Sequence, residues 1–359
     1  SVDLARIRRR KRDIVKDFSG GSRRQLESTD NLDLIFGEAR FTARDAVTAT
    51  APDGSTRDLR APRIFINAGC RPATPPIDGL SDTPHLNSTT IMELANAPDR
   101  LLVLGGGYIG LEFAQMFRRF GSEVAVIHRG SQLLSREDAD VAEAVADALR
   151  DEGVEVVLNA AVTGVRREAS GRIAASLTTP HGPGSAHGSH LLVAVGRTPN
   201  SDALDLAAAG VETDARGHIP VNERLETNVA GIWALGDING GPAFTHVAYD
   251  DYRIVRANLL DDAGATTTAR QVPYTVYIDP QFARVGLSEK DAQKAGLDVR
   301  VAKMPMSYVA RAIEMDEDKG FLKALVDPKT DRILGCAVLG IEGGEIMSMM
   351  QLAMMGDLP

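Results

Sequence analysis

Cysteine is almost missing from this chain: Cys70 and Cys336 are the only two among 359 residues. Two cysteines so widely separated make no disulfide framework, and they lack the spacing of metal ligands. A reducing cytoplasm is the expected setting. Long apolar runs are missing too. No stretch reaches the roughly 18 apolar residues of a membrane span, so none is expected. An excess of positive charge is also lacking. The formal net charge of −9 argues against general nucleic-acid affinity. The basic run Ile7–Arg12 (IRRRKR) reads instead as the wet face of a helix, with Ile7 and Ile14 about two turns apart on the other side. No apolar segment follows this basic start, so a signal peptide is not expected.

The chain does have enough apolar material for a sizeable core, at 43% hydrophobic residues, and a length that predicts two or three domains. Its most informative stretch is LLVLGGGYIGLEFAQMFRRFGSEVAVIHR, beginning at Leu101. An apolar strand, Leu101–Leu104, runs into Gly105-Gly106-Gly107-Tyr108-Ile109-Gly110. A helix-like segment follows from Leu111 to Phe120, then a second apolar strand from Val124 to Ile127. This is G-x-G-x-x-G between a strand and a helix, the context in which the motif binds a dinucleotide. Gly105 allows the tight turn, Gly107 lets backbone N–H groups approach a pyrophosphate, and Gly110 lets helix and sheet pack closely. An acidic residue at the end of the second strand would favour NAD. Here the strand ends in His128-Arg129, with Arg136 a little further on. A cation suits a 2′-phosphate, so NADPH is expected, with NADH possible.

Along the rest of the chain, residues 1–30 read as a charged helix and a loop. Residues 31–60 read as short strands with Asp53-Gly54 as a hairpin turn. Arg63–Ala68 looks like a buried strand ending at Gly69, and the proline-rich RPATPPIDG after it marks a boundary. In the dinucleotide unit, the spacing of Val141, Val145 and Leu149 predicts a helix over Asp138–Glu152, ended by Gly153. A strand over Val154–Leu158 leads into a meander with a Gly/His/Pro loop, Pro180–His190, at its tip. Leu191–Val195 is the last strand of the unit. Gly231–Leu235 is a strand ending at Gly236-Asp237. From Val272 the pattern becomes one of alternating strands, closed by a Met-rich helix, Glu345–Met355. Thioethers suit soft metals, but Met347, Met350 and Met354 are spaced as a packing stripe on a helix. No metal site is expected.

The order INAG-x-RP-x-x-P, GGGYIGLEFA, AVGRTPN, GIWALGD and VPYTVYIDPQFARVGLSEKDA resembles the class I pyridine nucleotide–disulfide oxidoreductases. GDINGGPAFTHVAYDDYRIV and ILGCAVLGIEGGEIMSMMQLAMMGDLP most resemble the mercuric-reductase-like branch, including the copper(II) reductase flavoprotein of bacterial reactive-chlorine resistance. The resemblance covers nearly the whole chain. It implies an α/β chain with two Rossmann-like nucleotide-binding domains, the FAD domain incomplete, plus an α+β dimerisation domain. The implied boundaries are 1–98 with 201–265 for FAD, 99–200 for NAD(P), and 266–359 for dimerisation. It implies FAD beside NADPH, a homodimer formed through 266–359, and no nucleic-acid or membrane partner. Asp237 would hydrogen-bond the ribityl chain, since a carboxylate accepts from sugar-type hydroxyls. Thr245 and His246 would close over the flavin, Ala68-Gly69 would form the backbone turn against it, and Ala39 would meet the adenine. Tyr108 would be the aromatic gate displaced by NADPH, and Glu112 the acid near the nicotinamide carboxamide. Val162, Gly196 and Arg197 would complete the dinucleotide cleft. Read from the residues alone, Tyr108 is equally a core-facing ring at a helix start, and Glu112 a first-turn acid favoured by the helix dipole.

The chain departs from the family pattern at both ends. The family begins with an FAD G-x-G-x-x-G and a C-x-x-x-x-C pair, and it ends with a His-Pro…Glu segment. None of these occurs here. The expectation is an internal fragment, weakly active or inactive alone, of an enzyme that reduces a metal ion, Hg(II) or Cu(II), or a disulfide-like oxidant. Two alternatives stay open: a flavoenzyme without a dithiol, like ferredoxin reductases or NADH oxidases, and a non-enzymatic nucleotide-binding, dimerising module.

Overall fold

Leu101 to Leu104 are each no more than 2% exposed, as befits a strand inside a parallel sheet covered on both faces. Alternate side chains serve the two faces. Leu101 and Val103 pack with Leu111 and Phe117 of the following helix, while Leu102 and Leu104 pack with Ile173, Ala175 and Leu177 of a meander. The computed structural model describes residues 2–268 and 270–359, and the chain divides into two compact units. One unit holds Ala73–Gly196 and Gln271–Pro359 with the N-terminal residues up to Arg8. The other holds Arg9–Pro72 and Arg197–Arg270.

In the first unit, a parallel sheet runs in the order His190–Val193, Arg100–Leu104, Glu123–Ile127, Val154–Val157. Helices Tyr108–Arg119 and Ala139–Asp151 connect its strands. Val141, Val145 and Leu149 are fully buried, on the face that their spacing predicts. An antiparallel five-stranded sheet follows in the order Tyr274–Val276, Gln281–Gly286, Ile333–Gly340, Phe321–Val326, Arg300–Pro305. Helix Gly343–Met355 lays Met347, Met350 and Met354 on this sheet against Cys336, so the methionine stripe is packing. In the second unit, Glu38–Ala43, Ala46–Thr50 and Thr56–Arg60 form an antiparallel sheet, and Ile64–Ile66 pairs in parallel with Ile232–Ala234. The α/β class expected from the sequence is the one the chain adopts. No helix among the described residues is long and apolar enough to cross a membrane.

Several local expectations are corrected. The Gly/His/Pro segment is mostly a strand, Gly182–Gly188, paired along its length with Ile173–Thr179. Only Pro180-His181 remain as the hairpin tip, and the ladder overrides poor strand propensity. Arg63–Ala68 is strand only over Ile64–Ile66, and Phe65 is 47% exposed, stacked on Trp233. Ile7 and Ile14 are 39% and 41% exposed, so the helix Leu4–Glu27 does not bury that seam. The helix Thr245–Asp261 has a weaker apolar periodicity and was not foreseen.

Candidate functional site

The glycine turn is shaped by what its residues leave out. Gly105 has φ +113°, and a Cβ there would lie 2.3 Å from Ala194 O. A Cβ on Gly110 would lie 2.3 Å from Gly105 O. Both positions therefore require glycine. Around Gly107, by contrast, the space is open, and the residue is exposed. Gly107 caps helix Tyr108–Arg119 with extended backbone and no side-chain cap, so the first-turn N–H groups have no capping oxygen. A cradle of free donors with open space above it fits the pyrophosphate of a dinucleotide.

The end of the second strand supports this turn. Gly106 N–H donates to His128 Nδ1 at 3.2 Å, which puts the imidazole proton on the other nitrogen, Nε2. Nε2 is buried without a partner among the described residues. Burial, with Arg129 alongside, holds the His128 pKa below its usual value. Arg129 and Arg136 are exposed and form no ion pair among the described residues. Both leave a guanidinium open to an anion. Leu134 N–H donates to Gly106 O at 2.8 Å, so the loop after the strand also braces the turn.

Tyr108, the first residue of the helix, is half-buried with its ring 5.3 Å from that of Tyr274. Glu112, one turn on, accepts from the Tyr277 backbone N–H at 2.9 Å, and burial raises its pKa. Val162 is half-buried and packs against the core around Leu102 and Leu104. Gly196 has φ +136°, open space around it, and a carbonyl that accepts from Ala73 N–H at 3.0 Å. Sequence reasoning did not find Tyr274, Glu137 or Arg284. Glu137 and Arg284 form a buried pair at 2.6 Å, and the Tyr274 hydroxyl bonds Glu137. Nearby, the carboxylates of Asp138, Asp140 and Glu289 lie within 4.8 Å of one another. The ammonium of Lys323, which contacts all three, already supplies the charge a metal would bring.

The second unit builds a different turn. Gly236–Asn239 follows the strand Ile232–Ala234. Gly236 has φ +69°, and its N–H donates to Asp251 Oδ2 at 2.8 Å. Asn239 Nδ2 donates to the same oxygen at 3.1 Å, and Arg270 pairs with the other at 2.6 Å. Asp251, 1% exposed, thus fixes the turn from the helix Thr245–Asp261, and sequence reasoning did not single it out. The Asp237 carboxylate is partly exposed at 23% and lies 3.5 Å from Arg197 Nε. An acceptor held this way fits a sugar-type hydroxyl of a flavin chain. Arg197 also donates to Cys70 O, and the Cys70 thiol donates to Asp237 O at 3.3 Å. Asn200 ties down the Ala68-Gly69 turn, its Nδ2 donating to Ala68 O at 2.9 Å and its N–H to Gly69 O at 3.0 Å. Ala39 is exposed on Glu38–Ala43. Thr245 and His246 begin their helix exposed, with the His246 ring stacked on Phe244 at 5.4 Å.

Known proteins resemble this chain along nearly its whole length. A sequence profile described as pyridine nucleotide-disulphide oxidoreductase matches residues 3–251, and the dimerisation domain of the same family matches residues 272–359. The chain is 37% identical over 360 residues to the probable pyridine nucleotide-disulfide oxidoreductase RclA of Escherichia coli (strain K12), with 100% of this chain and 80% of the relative covered. It is 35% identical over 353 residues to a mercuric reductase of Lysinibacillus sphaericus, covering 98% of this chain and 63% of that one. The solved Cu(II) complex of the HOCl-induced flavoprotein disulfide reductase RclA from Escherichia coli superposes with a TM-score of 0.93 at 36% identity, covering 100% of this chain and 80% of that structure.

Proposed function

The chain belongs to the pyridine nucleotide-disulphide oxidoreductase family, and on that premise we propose that it draws reducing equivalents from NADPH, in an FAD-dependent reaction, for delivery to an oxidant. The oxidant class we favour is a metal ion, Cu(II) or Hg(II), with a disulfide-like compound next. The observation that carries the reading is the open glycine turn, followed after its second strand by two exposed arginines, Arg129 and Arg136, in no ion pair among the described residues.

In this reading the N–H groups at the start of helix Tyr108–Arg119 bind the pyrophosphate, and Arg129 with Arg136 binds the 2′-phosphate. His128, neutral and accepting from Gly106, keeps the turn in shape. Glu112 orients the nicotinamide end, and Asp237 accepts from the flavin side chain. A bound flavin would supply the redox chemistry. The copper(II) complex of RclA and the mercuric reductases among the relatives support the metal-ion preference.

Dimerisation is assigned to 266–359, where Met349, Leu352 and Met355 form an apolar stripe on one helix at 63%, 68% and 68% exposure. Two free thiols, Cys70 and Cys336, favour work in a reducing cytoplasm. The test is an anaerobic titration of the FAD-supplemented protein with NADPH, followed by the visible flavin band, then by reoxidation with Cu(II), Hg(II) or a small disulfide. Bleaching by NADPH and recovery with a metal ion are expected. Absence of both nucleotide binding and bleaching would overturn the reading.

A further inference from the structure

The loop that braces the glycine turn also reaches the ring of Tyr108. Its Leu134 holds Gly106, and Glu137 N–H donates to Leu134 O at 2.7 Å. The Glu137 side chain is 1% exposed and is fixed by Arg284 Nε at 2.6 Å, with Arg284 itself 5% exposed. Glu137 also accepts from the Tyr274 hydroxyl. Tyr274 lies edge-on to Phe282, with ring centres 6.2 Å apart, and Phe282 is fully buried. The Tyr108 and Tyr274 rings lie 5.3 Å apart, tilted by 31°, and their hydroxyls are hydrogen-bond partners. Glu137 can only accept, so the single Tyr274 proton goes to it, and Tyr108 donates to Tyr274. The Tyr108 ring is therefore tied, through a second tyrosine, to a carboxylate locked in a buried ion pair. No other tyrosine near the turn is held this way among the described residues.

We propose that Tyr274 is a positioning residue for Tyr108, a latch that holds its ring at the start of helix Tyr108–Arg119 and that an entering NADPH must release. The proposal rests on the nucleotide reading above and adds the group that sets the resting position of the gate. A nucleotide that binds only when the ring has moved has an affinity proportional to the time the ring spends released. Removing one neutral hydrogen bond changes that time by roughly fivefold.

The test combines NADPH affinity with a label that reads the ring directly. Tyr274→Phe keeps the ring and its packing but deletes the acceptor for Tyr108. It is expected to tighten NADPH binding about fivefold. Tyr108→Phe, which leaves Tyr274 on Glu137 and carries the test should Tyr274→Phe fail to fold, is expected to do the same. The double variant should add nothing, because both delete one bond. A 3-fluorotyrosine placed at position 108 should give a ¹⁹F resonance that moves toward that of the free side chain in Tyr274→Phe without any nucleotide present. An unchanged resonance and unchanged affinity, or weaker NADPH binding in Tyr274→Phe, would overturn the latch while nucleotide binding by the parent protein stands. A released label with no NADPH binding by any form, parent included, would overturn the nucleotide reading and the latch with it.

Discussion

The two turns that carry the candidate sites are made by opposite means. Gly105–Gly110 is shaped by missing side chains: two positions where a Cβ would strike backbone, and one where it would fill the space for a ligand. Its bracing partners, His128 and Leu134, lie within one strand and loop of it. Gly236–Asn239 is held instead by carboxylate chemistry from another element, with Asp251 bonding Gly236 and Asn239 while neutralised by Arg270. The first turn should fail when an atom is added. The second should fail when a charge is taken away, at a residue outside the motif.

The largest effect should come from the second mode. Asp251→Ala leaves Arg270, 11% exposed, without its closest partner and frees two donors. A loss of about 3–5 kcal/mol is expected in urea denaturation. An effect near zero would mean that Asp250, 2.7 Å from Arg270 Nε, suffices alone. Gly110→Ala tests the first mode. The added methyl meets a carbonyl that cannot yield, at a cost of about 2–3 kcal/mol, and NADPH binding measured by calorimetry should be lost with little change in flavin content. Normal NADPH affinity in this variant would show that the turn can open without penalty.

Arg129→Glu probes the ligand end of the same turn. NADPH should weaken about tenfold, with NADH unchanged or improved. Equal losses for both nucleotides would remove Arg129 from phosphate recognition. The smallest effect concerns pH. His128 must be neutral to accept from Gly106, and its folded pKa lies below the usual 6.5, through burial first and Arg129 second. The unfolded chain therefore takes up the proton first as pH falls. The His128 contribution is fully present above pH 6.5 and is lost as pH drops from there through the lower folded value. His190 shifts in the same direction. The informative quantity is thus the difference in denaturation midpoints between the parent and His128→Asn, which should narrow on acidification.

Much of the first turn was legible because its cause is local. Strand, glycine spacing and helix follow one another in sequence, and each glycine answers to its immediate neighbours. The buried face of Ala139–Asp151 was legible for the same reason, since a period of 3.6 needs only nearby residues. Legibility failed where a distant partner decided. Gly182–Gly188 reads as a loop by composition, and only its ladder with Ile173–Thr179 makes it a strand. Ile7 and Ile14 have helical spacing yet stay 39% and 41% exposed. Asp237 was singled out through its motif. Asp251, which holds that motif's turn, looks like any other acid on a helix.

By itself, then, the sequence determined the glycine turn between strand and helix, the cation at the end of its second strand, the α/β class and the family. Backbone freedom at glycine and side-chain periodicity are properties of short segments. The tertiary structure alone decided which acids are buried and what they hold: Glu137 on Arg284 and Tyr274, Asp251 on Arg270 and Gly236. Each joins residues far apart in the chain. A buried charge is tolerated only where the fold brings it an opposite partner, and no local pattern encodes that meeting.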